Sequence, residues 1–274
     1  LSYHHVGPPQ PGTYPQFTVS PEQFERHVRW LHKRGYHGIL SSDWLRWSQE
    51  GTALPGKPVL LTFDDCYADI AEYALPVLRR YGFGATVFVV TGQLGGTNTW
   101  DEARGSGTHR LMTAEQICLW AAQGIEFGAH SKTHPDLTAM AAADAAEEVT
   151  GSRDELAALL GCRVASFAYP YGRYNKGICD IANKAFELAF TVDEGLNDLN
   201  TELFRLKRTL VDPRDSALAL ECRLRWGRYP FESRRAQILR LRARLNRAVR
   251  RLFGQERPSP SCGDQRVQTE ARCP

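Results

Sequence analysis

The feature that most narrows the fold of this chain is an alternation. From Leu1 to about Val211, short runs rich in β-branched and aromatic residues take turns with amphipathic helical patterns. The candidate strands are residues 1–6, 36–40, 58–65, 85–91, 125–130, 164–170, 188–194 and 204–211. A helix is expected from Ser20, a capping residue followed by Pro21, to a stop at Gly35. Further helices are expected over about 67–82, 113–124 and 141–161, each ending at a glycine. The runs PVLL, TVFVV and ASFAY are apolar on both faces, as strands buried in a parallel sheet must be. Strands joined by helices make an α/β fold, and a barrel and an open sheet both fit.

Composition sets the outer limits. At 42% hydrophobic and 24% charged residues the chain is globular. It has no apolar run of about 18 residues that would span a membrane, and it opens on LSYHHV rather than on a charged-then-apolar stretch, which leaves a cleaved leader open because the first residue is not Met. The seven cysteines are odd in number, irregularly spaced and without a CxxC pair. That argues against a disulfide framework or a thiolate zinc site and for reduced, mostly buried thiols. The expectation is a cytoplasmic protein, with a peripheral position at a membrane or an extracytoplasmic location left open.

The net charge of +3 conceals an asymmetry, because residues 222–252 hold eleven arginines and one acid, Glu232. The main body is therefore mildly acidic. Ile238, Leu239, Leu241, Leu245, Val249 and Leu252 form a rough helical stripe among those arginines. Residues 216–254 read as an Arg-rich amphipathic arm, a C-terminal basic helix. Within it, 233–252 suits an anionic membrane surface better than nucleic acid, which is not an expected partner. Residues 255–274 read as a disordered tail.

Chemistry concentrates at strand ends, where parallel α/β folds carry their reactive groups. TFDD ends the run at 58–65 with Asp64 and Asp65 side by side. Two adjacent carboxylates are hard to keep ionised unless a cation lies between them. Strand alternation lets one bind a metal while the other stays free. A helix cap, through Asp65 or Asp69, is the plainer alternative. GAHSKTH ends the next-but-one strand with His130 and His134 four apart, a spacing that brings two imidazoles to one metal. Two histidines and one aspartate leave a coordination position for water, the pattern of a catalytic zinc site. AYPYG, with Pro170 and Gly172, makes a turn able to present backbone N–H groups to an oxyanion. Residues 92–112 form a long polar loop, and such loops are often functional.

In this order, TFDD, HSKTH and AYPYG resemble the polysaccharide deacetylases of carbohydrate esterase family 4, the NodB-type domain. VSPEQFERHVRWLHKRGY and ALPVLRRYGFGATVFVV fit the same pattern, and the resemblance covers about residues 1–215. It implies a distorted (β/α)7-type barrel and metal-dependent removal of acetyl from an N-acetylated sugar in a polysaccharide, oligosaccharide or lipid-linked glycan. It implies a divalent ion, zinc first, held by Asp65, His130 and His134. Asp64 matches the catalytic base, and Tyr171 the residue whose N–H holds the oxyanion. Three departures stand out. Cys66 replaces the usual glycine, a strained choice if that position needs positive φ. Ala168 replaces an arginine that steadies the base, with Arg173, Arg205 or Lys207 as possible substitutes. No histidine follows His134, so the family's late acid is missing. SYHHV at the start resembles the subgroup related to biofilm poly-N-acetylglucosamine deacetylases and nominates His4 as acid, with His5 as alternative. Trp100, Asp101 and Asp193 are candidate sugar contacts. A silent glycan-binding module on the same fold, or a deacylase of another amide or ester, are the competing readings.

Overall fold

The computed structural model describes residues 1–9, 14–104 and 107–229. Its strands are short. β1 (Ser2–Tyr3), β2 (His5–Val6), β3 (Thr18–Val19), β4 (Tyr36–Ile39), β5 (Lys57–Leu60) and β6 (Thr62–Phe63) come first. β7 (Thr86–Val89), β8 (Glu126–Ala129), β9 (Ser166–Ala168) and β10 (Leu188–Phe190) follow. Six of them form one sheet in the order β1-β6-β7-β8-β9-β10, every pair parallel.

The sheet closes on itself through residues 206–211. Leu206 bridges Phe190 and Leu210 bridges Ser2, both in parallel. Backbone bonds from Leu206 N–H to Ala189 O (3.0 Å) and from Ser2 N–H to Thr209 O (2.9 Å) tie this last stave to both neighbours. The fold is thus a distorted α/β barrel whose seventh stave is held mainly by single bridges. β2 pairs with β3, and β4 with β5, outside the ring.

The apolar runs behave as their composition dictates. All four residues of β7 are buried, as are Phe127, Ala129, Phe167 and Ala189 on the neighbouring strands. Each fully buried Val, Leu or Phe side chain contributes about 1.5–3 kcal/mol. At Gly128 the strands approach so closely that a Cβ would lie 2.6 Å from the Phe88 ring and collide with Ser166 Oγ.

Helices fill the crossovers. Ser20 accepts the Gln23 N–H at 3.2 Å and starts α1 (Pro21–Lys33), which buries Phe24, Val28 and Leu31. The expected 67–82 helix opens with one wide turn at Ile70–Ala74 before α3 (Leu75–Tyr81), because Pro76 has no N–H to give. α4 (Ala114–Ala121) and α5 (Ala142–Leu160) lie where their spacing places them. α2 (Ser41–Glu50) and α6 (Lys176–Ala185) are additional to the sequence expectation.

The boundary expected at residue 215 moves. α7 (Ala217–Trp226) buries Ala219, Leu220 and Cys222 on the body, and its Arg223 donates to Asp215 at 2.6 Å with 1% exposure. An arginine of the Arg-rich arm is therefore a core anchor, and the compact unit runs from Leu1 to Tyr229. The rest of the Arg-rich arm, its 233–252 stripe and the tail lie outside the described residues. Among the described residues no helix is long and apolar enough to cross a membrane. Of the described cysteines, Cys66 and Cys222 are buried while Cys118 and Cys162 are exposed, so burial is less general than expected.

Candidate active site

Because the barrel strands are parallel, their C-terminal ends open on one side. A cavity of about 520 Å³ lies there, and its wall includes His4, Asp64, Asp65, His130, His134 and Tyr171. The first five come from the ends of β1, β6 and β8, and Tyr171 follows β9.

Asp65, His130 and His134 converge. Asp65 Oδ1 stands 3.5 Å from His130 Nε2 and 3.3 Å from His134 Nε2, and all three side chains are buried. That oxygen has no hydrogen-bond partner. A buried, unpartnered carboxylate oxygen facing two imidazole nitrogens is costly unless a cation completes it. Their ligating atoms lie within 4.8 Å of one another, which fits one metal ion. His130 Nδ1 donates to Ala168 O at 2.7 Å, which fixes the tautomer and aims the Nε2 lone pair at Asp65. Burial, only partly offset by Asp65, pushes His134 down to about 3, so it is the neutral form that ligates metals. For His130 burial acts downward too, but Asp65 and Asp64 outweigh it and its pKa is raised.

The backbone around these ligands is strained. Asp65, Cys66, Ser131, His134 and Tyr171, none of them glycine, have φ between 57° and 68°. Such residues persist only where the surroundings enforce them, and they collect at functional sites. Cys66 does occupy a left-handed position, φ 58°, where a glycine would be unstrained. Its thiol is buried, which raises its pKa and keeps it protonated.

Asp64 does not share the cation pocket's nitrogen ligands. Both its oxygens are taken by one guanidinium, Arg208 Nη1 to Oδ1 at 2.6 Å and Nη2 to Oδ2 at 2.8 Å. Burial opposes the Asp64 charge, yet Arg208, His130 and His4 outweigh it and its pKa is lowered. Arg208, rather than Arg173, Arg205 or Lys207, takes the place of the arginine that steadies the base. Arg173 pairs instead with Asp136, Arg205 with the Tyr174 hydroxyl and Glu202, and Lys207 is exposed. The clue was period two. Leu206, Arg208 and Leu210 share one face of the last stave, whereas 205 and 207 point the other way.

His4 Nε2 stands 4.0 Å from Asp64 Oδ2, and its ring leans on Phe17 at 4.7 Å. Burial lowers its pKa while Asp64 and Asp65 pull it up. His5 is differently engaged. Its Nδ1 pairs with Asp69 Oδ2 at 2.8 Å and its ring stacks on Tyr67 at 3.6 Å, which suits a structural post rather than a proton donor. Tyr171 sits in a Pro170–Gly172 turn with its ring centroid 4.4 Å from that of His134, the two rings steeply inclined. Trp100 lies 4.8 Å from the same imidazole and, with Asp101, lines the cavity. Asp193 does not: its carboxylate accepts the Tyr174 hydroxyl at 2.6 Å, and Val192 and Glu194 form that part of the wall. Tyr14 and Phe17 also line the cavity and carried no sequence signal beyond being aromatic.

Comparison with known proteins finds similar sequences and a similar fold. Residues 51–186 match the family profile described as polysaccharide deacetylase. YxkH of Bacillus subtilis strain 168, named as a polysaccharide deacetylase, is 27% identical over 71% of this chain and 66% of its own length. A poly-β-1,6-N-acetyl-D-glucosamine N-deacetylase of Staphylococcus aureus is 24% identical over 71% of this chain and 68% of its own. The chain thus spans about two thirds of the length of these relatives. The solved structure of the Streptococcus pyogenes deacetylase PplD in complex with acetate superposes with a TM-score of 0.70 at 28% identity, covering 81% of this chain and 95% of that one.

Proposed function

We propose, for a chain that carries a polysaccharide deacetylase domain, that it hydrolyses the acetamido group of an N-acetylated sugar within a glycan, using a divalent cation, zinc first, at Asp65, His130 and His134. The observation that carries this reading is the unpartnered Asp65 Oδ1 facing two imidazole nitrogens beside a separately held carboxylate, Asp64. A cation bound there would polarise the acetyl carbonyl and make water more acidic.

The chain's own residues supply the rest. Asp64, kept ionised and oriented by Arg208, takes the proton from the attacking water. His4, close to Asp64, is the donor to the departing sugar nitrogen. A lowered imidazole pKa makes its protonated form the stronger acid. The Tyr171 backbone N–H is assigned to the oxyanion, in a turn fixed where a Cβ on Gly172 would collide with Val192. The C–N bond breaks, acetate leaves and the amine keeps the donated proton. Tyr14, Phe17, Trp100 and Tyr171 give the cavity aromatic walls suited to the faces of pyranose rings. The S. aureus relative's name supports poly-N-acetylglucosamine as the first substrate to try. The intact Arg208 clamp favours a working enzyme over a silent glycan-binding module.

The test is acetate release from β-1,6- and β-1,4-linked N-acetylglucosamine oligomers and from lipid-linked N-acetylated sugars by zinc-loaded protein, beside Asp64→Asn. Loss of about 10²–10⁴-fold in the variant is expected for a general base. No release from any of these substrates by the wild type would overturn the proposal.

A further inference from the structure

The loop from His130 to His134 carries two of the three candidate ligands in a conformation that resists being held. Ser131 and His134 have φ of 65° and 60°, positions that strain any residue with a Cβ. Part of the support is local, since Ser131 Oγ accepts the His134 N–H at 3.0 Å. Part comes from the end of β7. Thr91 and Gly92 donate their N–H groups to Ser131 O at 3.2 Å and Lys132 O at 2.8 Å. A Cβ on Gly92 would sit 2.7 Å from Lys132 O, so this approach requires glycine.

The crest of the loop has one remaining need. The N–H groups of Lys132 and Thr133 point away from the site and meet a single acceptor, Glu148 on α5. Glu148 Oε2 accepts both, at 2.8 and 2.9 Å, and Oε1 accepts the Thr133 hydroxyl at 2.8 Å. Neighbouring Glu147 and Glu155 pair with the Lys132 ammonium through carboxylates that are 69% and 44% exposed, the kind of ion pair that contributes little, and Glu155 also accepts the Thr91 hydroxyl at 2.5 Å, so neither reaches the loop's backbone N–H groups. Glu148 is thus the acid on α5 that grips the loop's backbone, one side chain removed from the histidines.

We propose that Glu148 is the positioning residue of the cation site: its carboxylate fixes the Lys132–Thr133 backbone so that His130 and His134 keep both Nε2 atoms on Asp65. This rests on the metal reading above, and the experiment separates the two. Outer groups that orient metal ligands typically alter affinity about 10–100-fold when removed.

The measurement is a Co²⁺ titration of the full chain, followed by the visible absorption of the bound ion, whose band shape reports coordination geometry. Glu148→Ala is expected to weaken binding by about 10–100-fold and change the band. Glu148→Gln, whose amide oxygen still accepts both N–H groups, is expected to restore most of the affinity and the wild-type band. Glu147→Ala is the control and should leave both as they are. Should Glu148→Ala fail to fold, Glu148→Asp, with its carboxylate one methylene further back, carries the same test and is expected to fall between. Wild-type affinity and band shape in folded Glu148→Ala or Glu148→Asp would overturn the inference while leaving the metal site standing. No Co²⁺ binding by the wild type would overturn the metal reading, and the inference with it.

Discussion

Replacing Arg208 with methionine isolates what holds the proposed base. Arg208 is 4% exposed and Asp64 3%. The guanidinium spends its donors on both Asp64 oxygens, on Thr62 Oγ1 at 3.2 Å and on Thr191 O at 2.9 Å, and it lies against the Phe88 and Phe190 rings. Methionine keeps the aliphatic bulk between those rings, so the cavity left is small. What remains is a buried carboxylate without its cation. Removing one partner of a buried pair costs about 3–5 kcal/mol, a large share of a total of about 5–15 kcal/mol. The pH dependence has a definite sign. In the wild type the folded pKa of Asp64 is lowered. Its stabilisation is therefore complete above the unfolded value of about 3.9 and is lost only as pH falls through the folded value. In Arg208→Met burial is no longer outweighed, and the folded pKa should rise above the unfolded one. The variant then gains stability as pH falls and the carboxylate protonates. The gap between the two proteins should be widest near about pH 7 and narrow towards about pH 4. Urea unfolding in chelator, at a series of pH values, measures it. A gap under about 1 kcal/mol near neutrality, or one that stays constant as pH falls, would refute the claim that Arg208 neutralises a buried charge.

Two further substitutions test the frame of the site. Gly128→Ala forces a Cβ between the Phe88 ring and Ser166 Oγ; overpacking should lower unfolding stability by about 1–3 kcal/mol, and an unchanged urea midpoint would mean the strands have slack to give. Cys66→Gly relieves a left-handed residue, worth about 1–2 kcal/mol, and loses a buried thiol of similar weight. Stability should stay within about 1 kcal/mol, and the Co²⁺ spectrum should not change, because the thiol is protonated and outside the ligand set. A thiolate-to-cobalt band in the wild type that vanishes in the variant would contradict that.

The legible part of this molecule was whatever is local in sequence. The apolar runs of β7 and β9, the Ser20 cap and the strand-end motifs each carry their signal within a few residues, and each is found where that signal places it. What escaped were relations across the fold. Arg173, Arg205 and Lys207 are basic, but position along the chain says little about the face of a strand. Arg208 lies 144 positions from Asp64 and meets it only because the last stave turns its even residues inward. α6 carries little signal because its buried face is narrow, Ile178 and Ala182, and α7 lies within the expected helical arm but packs on the body. On α7 the burial is anchored by an arginine, which periodicity counts as a surface residue. Asp193 is a candidate sugar contact by sequence, but its carboxylate accepts the Tyr174 hydroxyl instead.

The closure of the barrel carries the chemistry as well as the fold. In an open sheet β1 and the 206–211 stave would be opposite edges, and His4 and Arg208 would stand far apart. Here Ser2 pairs with Leu210. That pairing lets residues from the first and last staves meet over the same carboxylate, Arg208 at 2.6 and 2.8 Å and His4 at 4.0 Å. The last stave is the least regular of the ring and depends on what lies behind it. Behind it stands Arg223, which donates to Asp215 at 2.6 Å and to Thr209 Oγ1 at 3.2 Å, directly after the stave residue that holds Asp64. Asp215 in turn receives Gln23 Nε2 on its carbonyl at 2.6 Å, tying α7 and α1 to one point. The base is thus oriented through a chain of buried contacts that ends at residue 223. A barrel cut at 215, where the motif resemblance stops, would retain every proposed catalytic and metal-binding residue and lose the helix that braces them.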